Sequence, residues 1–517
     1  MRTVGRITLA ALVGATVPAN AFAQAQDRVG ALAPAFGDVD RIFTDYARDG
    51  HVPGMAWGVI VDGRLVHTGT FGVQDTVTRA PVTPDSVFRI ASMTKSFTAV
   101  AILSLRDAGK LSLDDAAETY VPELQGLTYP TSDSPRLTIR HLLSHATGFP
   151  EDNPWGDQQL ALSDDQMSAL MRQGIPFSNP PGLAYEYSNY GFAILGRIVS
   201  KVSGMPYRDY VRRRLLDPLG LPATTLDAPA VPASRLVHGY RWEDERWKEE
   251  APLPDGAFGS MGGMLTSLQD LSRYVAWMMD AWPARDGLDT GPLRRASRRE
   301  MQQVWRTSQA LARKTPAGAL QLLAGGYGYG LRVSQTCSIG HVVAHSGGLP
   351  GFGSQMRWLP EYGVGLVAMG SLTYTSWGAR FDAALDALAK TGALVPRQPA
   401  PSPALIAMRA DVTRLIQQWD EALADRIAAN NLYLDSARDR RRRELEALRE
   451  KHGSCRADGP FVAENALRGA WVMPCERGAL RVDITLAPIV PPKVQHLAVR
   501  SLDTVTVPTP GPVSCIE

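Results

Sequence analysis

The chain has 517 residues, 44% of them hydrophobic and 21% charged, an ordinary globular composition. Its 54 Lys and Arg nearly balance 52 Asp and Glu, and a net charge of +2 gives no electrostatic case for nucleic acid or an anionic membrane as partner. The length exceeds one ordinary domain and fits a large body with an appendage.

The first residues read as a secretory signal peptide over 1–23. Arg2 and Arg6 form a basic start, Ile7 to Val17 an apolar stretch, and Ala21-Phe22-Ala23 a small-residue cleavage site. The apolar stretch is too short for a membrane span, so the mature protein is expected outside the cytosol, starting near Gln24. Of the four cysteines, Cys337 lies in the body and Cys455, Cys475 and Cys515 near the end. No Cys-x-x-Cys is present. An oxidising compartment suggests Cys455 with Cys475 among three possible pairings.

Trp57 to Val61 and Arg64 to Thr70 flank Asp62-Gly63, the signal of a hairpin with a type I′ turn. Met93 to Ala108 is apolar nearly all round, which marks a buried central helix ended by Gly109. Helices are expected around Leu160 to Met171 and Tyr190 to Val202, and two strands over Arg357 to Met369. A helix follows over Ala379 to Ala389. Strands at both ends with helices between predict an α+β body, 27–393, whose antiparallel sheet joins both ends of the domain. Four prolines make 394–403 a stiff linker. Beyond it, 404–517 reads as a small accessory α+β domain. It carries one amphipathic helix over Leu405 to Ile427, a second over Ser436 to His452, and strands Gly469 to Met473 and Ala479 to Ile484.

Three short patterns carry chemistry. Ser92 and Lys95 stand three apart at the start of the buried helix and so share a face. A serine hydroxyl needs a base, and burial lowers a lysine pKa until its neutral amine can serve. Tyr187-Ser188-Asn189 sits in a Pro/Gly loop before a helix, where a phenol can relay a proton and an amide can hold a substrate amide. His345-Ser346-Gly347-Gly348 follows an apolar strand, and its glycines let a substrate approach backbone N–H groups.

Together, Ser92-x-x-Lys95, Tyr187-x-Asn189 and His345-x-Gly347 resemble the β-lactamase-like serine hydrolases. That group includes class C β-lactamases, D-alanyl-D-alanine carboxypeptidases, D-aminopeptidases and a carboxylesterase family. The flanks Val87 to Ala99, Leu137 to Gly148 and Gly262 to Ser267 resemble it as well, over roughly 38–391. The resemblance implies a β-lactamase/transpeptidase-like fold. It implies Ser92 as nucleophile, Lys95 and Tyr187 as coupled acid and base, and Ser92 and Gly348 N–H groups as oxyanion hole. Asn189 would hold the acyl-side amide, and His345 and Gly347 would line the edge strand. Many true β-lactamases carry a fixed Lys cation where this chain has His345, which lowers the expectation of efficient lactam hydrolysis.

His141 and His145 are spaced as in zinc proteases, but the general-base Glu is missing, and they read as structural. Neither a metal nor another cofactor is expected. Trp242 and Trp247 suit either a cleft wall or a surface loop. The expected partner is a small-molecule or peptide substrate, a D-peptide, ester or amide, and the oligomeric state stays open. A penicillin-binding protein or β-lactamase of slow turnover and a non-catalytic scaffold are the alternatives.

Overall fold

The structure is a computed structural model, and it describes residues 27–314, 320–336 and 339–505. The signal peptide, Cys337 and Cys515 lie outside the described residues. The hairpin forms as strands β1 (Gly54–Val61) and β2 (Arg64–Gly72). Its turn places Asp62 at φ 46° and Gly63 at φ 80°, the left-handed pair that a type I′ turn requires.

Six later strands complete the sheet: β3 (Arg306–Lys314), β4 (Leu320–Tyr327), β5 (Arg332–Thr336), β6 (Gly340–Leu349), β7 (Phe352–Leu359) and β8 (Val364–Gly370). The order is β2-β1-β8-β7-β6-β5-β4-β3, antiparallel throughout. β1 therefore pairs with β8, from Met55 opposite Gly370 to Val61 opposite Val364, and the two ends of the body close on one sheet.

Every residue of β1 is buried because both faces of the sheet are covered. Met55, Trp57, Val59 and Val61 pack with Phe43 of helix α1 (Phe36–Asp49) and Phe381 of a C-terminal helix, Gly378–Lys390. Ala56 and Ile60 face the other way, into the core of the helical region. There helix α2 (Thr94–Asp107) is buried on nearly all sides, as its apolar sequence requires. Helix α3 (Asn189–Ser203) packs beside it, capped by Ser188 and ended by Gly204 at φ 71°.

After Gly392, residues 393–402 run without regular structure, and Arg397 ties them back by donating to the Trp282 and Pro360 carbonyls. The single helix expected over Leu405 to Ile427 is two, α4 (Pro403–Gln417) and α5 (Glu421–Ile427). Asp420 breaks the run because its carboxylate caps Leu423 N at 2.8 Å. These helices and α6 (Arg438–His452) pack around a four-stranded antiparallel sheet: β9 (Phe461–Asn465), β10 (Arg468–Pro474), β11 (Ala479–Leu486) and β12 (Val494–Leu502). The outer strands β9 and β12 escaped the sequence reading. Cys455 and Cys475 form a disulfide across this domain.

Candidate active site

Ser92 sits in a tight turn, Ala91–Met93, that leads directly into α2. Ala91, just before it, takes φ 48°, a left-handed backbone that an alanine adopts at a cost. Strand β6 passes close against this turn. A Cβ on Gly347 would lie 2.1 Å from the Ile90 carbonyl oxygen, so only glycine lets the strand approach the serine.

One turn into α2, Lys95 is fully buried. Its Nζ donates to Ser92 Oγ at 3.0 Å, to Asn189 Oδ1 at 2.6 Å and to the Met261 carbonyl at 2.8 Å. The Tyr187 ring lies 4.8 Å away and the Phe192 ring 5.7 Å away. Burial pushes the Lys95 pKa down to about 7, with Asp157 and Asp152 working against that fall. Burial drives the Tyr187 phenol the other way, well above its ordinary value, despite a hydrogen bond from Ser92. Lysine is thus poised to lose its proton near neutrality, and tyrosine to keep its own.

The Tyr187–Asn189 segment is pinned from three sides. Asp152 accepts from Asn189 N at 2.6 Å and Tyr190 N at 2.8 Å, a carboxylate on the N-terminus of α3. Ser188 Oγ accepts from Gly191 N, and Ser188 N donates to His145 Nδ1 at 3.1 Å. His145 is buried against the Tyr187 ring at 4.2 Å. His141 instead belongs to a helix cap, accepting from Thr138 N at its Nδ1. Among the described residues no cluster of His, Cys, Asp or Glu is arranged to hold a metal.

His345, on β6, is also buried, and both of its nitrogens are engaged. Nδ1 faces the Ser346 carbonyl at 2.6 Å, so that nitrogen carries the proton. Nε2 then accepts from the Tyr327 hydroxyl at 2.7 Å. Burial, with Lys95 and Arg332 nearby, holds the imidazole well below the usual histidine range. A neutral histidine cannot act as the fixed cation of this wall.

The cation is Arg332, a residue the sequence reading missed. Strand pairing sets it opposite Ala344, one residue before His345, and its guanidinium lies 5.9 Å from the Tyr187 ring. It opens into a cleft of about 470 Å³ lined by Ser92, Tyr187, Asn153 and Asp157 from the helical region, by Arg332, His345, Gly347 and Gly348 from the strands, and by Tyr374. Asn189 is not at this surface: its amide is used inside the protein, accepting from Lys95 and donating to Asn153 Oδ1 at 3.1 Å. Asn153 is the amide that reaches the cleft. Trp242 and Trp247 lie elsewhere, in a hairpin packed on His51, with the Trp242 ring stacked at 4.1 Å.

A family model described as Beta-lactamase matches residues 39–391. Penicillin-binding protein 4 of Amycolatopsis lactamdurans is 34% identical over 327 residues, 61% of this chain and 79% of its own length. Penicillin-binding protein 4* of Bacillus subtilis (strain 168) is 27% identical over 313 residues, 57% of this chain, and the match spans only 62% of that relative. Among solved structures, an octameric penicillin-binding protein homologue from Pyrococcus abyssi aligns with TM-score 0.55 at 22% identity, covering 87% of this chain and 90% of that one. A class C beta-lactamase aligns with TM-score 0.55 at 20% identity, covering 69% and 96%. At these identities the solved structures bear on fold.

Proposed function

The chain belongs to the beta-lactamase family, and on that premise we propose that it hydrolyses short D-amino-acid peptides or small esters through an acyl-enzyme on Ser92. The observation that carries this reading is the buried Lys95 amine, held 3.0 Å from Ser92 Oγ with its pKa lowered to about 7.

Neutral Lys95 takes the Ser92 proton as Oγ attacks the carbonyl carbon. The N–H groups of Ser92 and Gly348 hold the oxyanion, and the close packing of Gly347 on the serine turn brings that strand within reach. Collapse breaks the bond to the leaving nitrogen or oxygen. That atom receives the proton from Lys95, relayed by the Tyr187 hydroxyl. Water then attacks the acyl carbon and gives its proton to the same amine. The proton returns to Ser92 Oγ as the carboxylic acid departs. Tyr187 works as a protonated relay, because burial disfavours its phenolate.

Arg332 stands beside Tyr187, on the side where the leaving group must sit, and there it suits a carboxylate on the departing residue. The disulfide suits an oxidising compartment, which supports export of the protein.

The test is hydrolysis of a short-chain nitrophenyl ester, a D-alanine anilide and a cephalosporin, each beside Ser92→Ala. Turnover that vanishes in the variant supports the proposal, and the preferred substrate ranks ester, peptide and lactam. Turnover that survives Ser92→Ala overturns it. The relatives named as penicillin-binding proteins favour a second reading, acylation with slow release. Mass spectrometry would then find a lasting adduct of the cephalosporin on the protein.

A further inference from the structure

The cleft holds a buried carboxyl that the acyl-transfer chemistry does not use. Asp157 lines it at 3% exposure, at the start of a 3-10 turn, Asp157–Gln159, that follows the helical turn Asn153–Gly156. Its Oδ2 accepts from the Tyr374 hydroxyl at 3.1 Å, and among the described residues no hydrogen bond reaches Oδ1. No basic side chain forms an ion pair with it among the described residues.

Its place in the cleft is defined by β6. Tyr374 packs over Gly348, where a Cβ would meet its ring at 2.7 Å. Arg332 sits opposite Ala344 on the same strand. Four residues of strand separate those two points, about 13 Å at the usual rise. The cleft is therefore bipolar along β6, with a guanidinium at one end, a carboxyl at the other and Ser92 between. A short zwitterionic peptide, two to four residues long, matches both the sign and the span. Since Arg332 marks the leaving-group side, the carboxyl marks the acyl side.

We propose that Asp157, braced by Tyr374, is a binding site for the free α-ammonium group of the residue that acylates Ser92, so that the enzyme selects short peptides or esters with an unblocked amino end. This deepens, and rests on, the acyl-enzyme reading above. An ammonium suits the site physically. It supplies the directly bonded cation that Lys95, acting only through space, does not, and an N-acylated substrate would leave that carboxylate desolvated and without a bonded partner. Burial pushes the Asp157 carboxyl up to about 6. Lys95 and Tyr374 draw it down, and Asp152 and Glu151 raise it. The group is thus ionised, and ready for a cation, in neutral solution.

The experiment separates this site from catalysis. The full-length Ser92→Ala protein is titrated by calorimetry with D-alanyl-D-alanine and with its N-acetyl derivative at neutral pH. The free-amine peptide is expected to bind about tenfold or more tightly. That preference should collapse in Ser92→Ala/Asp157→Asn, an isosteric change that keeps an acceptor for Tyr374. Acidifying the Ser92→Ala protein through about pH 6 should erode the same preference with no second substitution. Equal binding of the two peptides, or a preference that survives Asp157→Asn, overturns the ammonium site. Acylation of the wild-type protein by nitrophenyl acetate is followed in parallel. If it fails while the binding preference holds, the acyl-enzyme reading falls and the ammonium site stands.

Discussion

The two walls of the cleft solve opposite problems. Behind the helical wall Lys95 and Asn189 are completely buried, at its surface Tyr187 is 6% exposed, and the lysine bonds to the serine it faces. On the strand wall, Arg332 and Ser346 stand open, and His345 is kept neutral by burial, with Lys95 and Arg332 nearby and a hydrogen bond from Tyr327 to its Nε2. Burial on the first wall changes proton affinity. Exposure on the second leaves a permanent charge, held beside the Tyr185 hydroxyl, facing the cleft. Proton transfer should therefore map to the helices and recognition of a substrate carboxylate to the strands, and substitutions at Lys95 and Arg332 should divide into kcat and KM effects along that line.

The largest expected effect comes from Lys95→Met, which keeps the bulk and removes the base. The kcat for a nitrophenyl ester should fall by about 10³–10⁴-fold with KM little changed, read by steady-state kinetics. A large KM effect with kcat preserved would put recognition on the helical wall and break the comparison. The pH profile sharpens the same point. Lys95 must be neutral to accept a proton, and its lowered pKa of about 7 means the protonated, idle form gains as pH falls. The kcat/KM should fall toward about tenfold per pH unit once below 7, and level off above it. Lys95→Met should lose that limb.

Arg332→Ala comes next. Losing a bidentate partner for a carboxylate should raise KM by about 10–100-fold for a peptide with a free carboxylate. A neutral ester should respond much less. Equal losses on both would mean that Arg332 acts through Tyr187 and not through the substrate.

The contrast between walls also tracks what the sequence made legible. Ser92 and Lys95 are three apart in one helix, and helical spacing alone brings them together. The type I′ turn was equally local, in Asp62-Gly63. Arg332 and Tyr327 reach His345 only through the pairing of β4, β5 and β6, and strand register is a long-range property. The only trace in the sequence is the glycine-rich run from Gly325 to Gly330 just before Arg332. Asp157 opens a short 3-10 turn, Asp157–Gln159, and its place in the cleft shows only in its bond with Tyr374, more than two hundred residues away. Asn189 was placed correctly along the chain, yet its amide is committed to Lys95 and Asn153. The break at Asp420 was legible as an N-cap, and the hydrophobic spacing through Trp419 and Leu423 masked it.

A smaller effect probes how the strand wall keeps its histidine neutral. Tyr327→Phe removes the donor to His345 Nε2 and leaves a buried acceptor unsatisfied. Stability should drop by about 1–3 kcal/mol in denaturant unfolding, with modest loss of activity. A stable variant with unchanged kinetics would show that the hydrogen bond contributes nothing to the wall.

The smallest effect on catalysis is expected from removing the C-terminal domain after Pro401. The hydrophobic clusters of the body and of that domain share no residue: the former take in no side chain beyond Leu394, and the latter begins at Ala404. The cleft's lining ends at Gly378. Truncation there keeps Arg397, which fastens the connecting segment to Trp282 and Pro360, and deletes Ser402, whose hydroxyl caps α4. Neither wall loses a residue, so kcat/KM for a small nitrophenyl ester should stay within about threefold of the full-length value. A truncated protein that unfolds cooperatively yet has lost an esterase activity seen at full length would mean that the cleft has a third wall, contributed by the C-terminal domain.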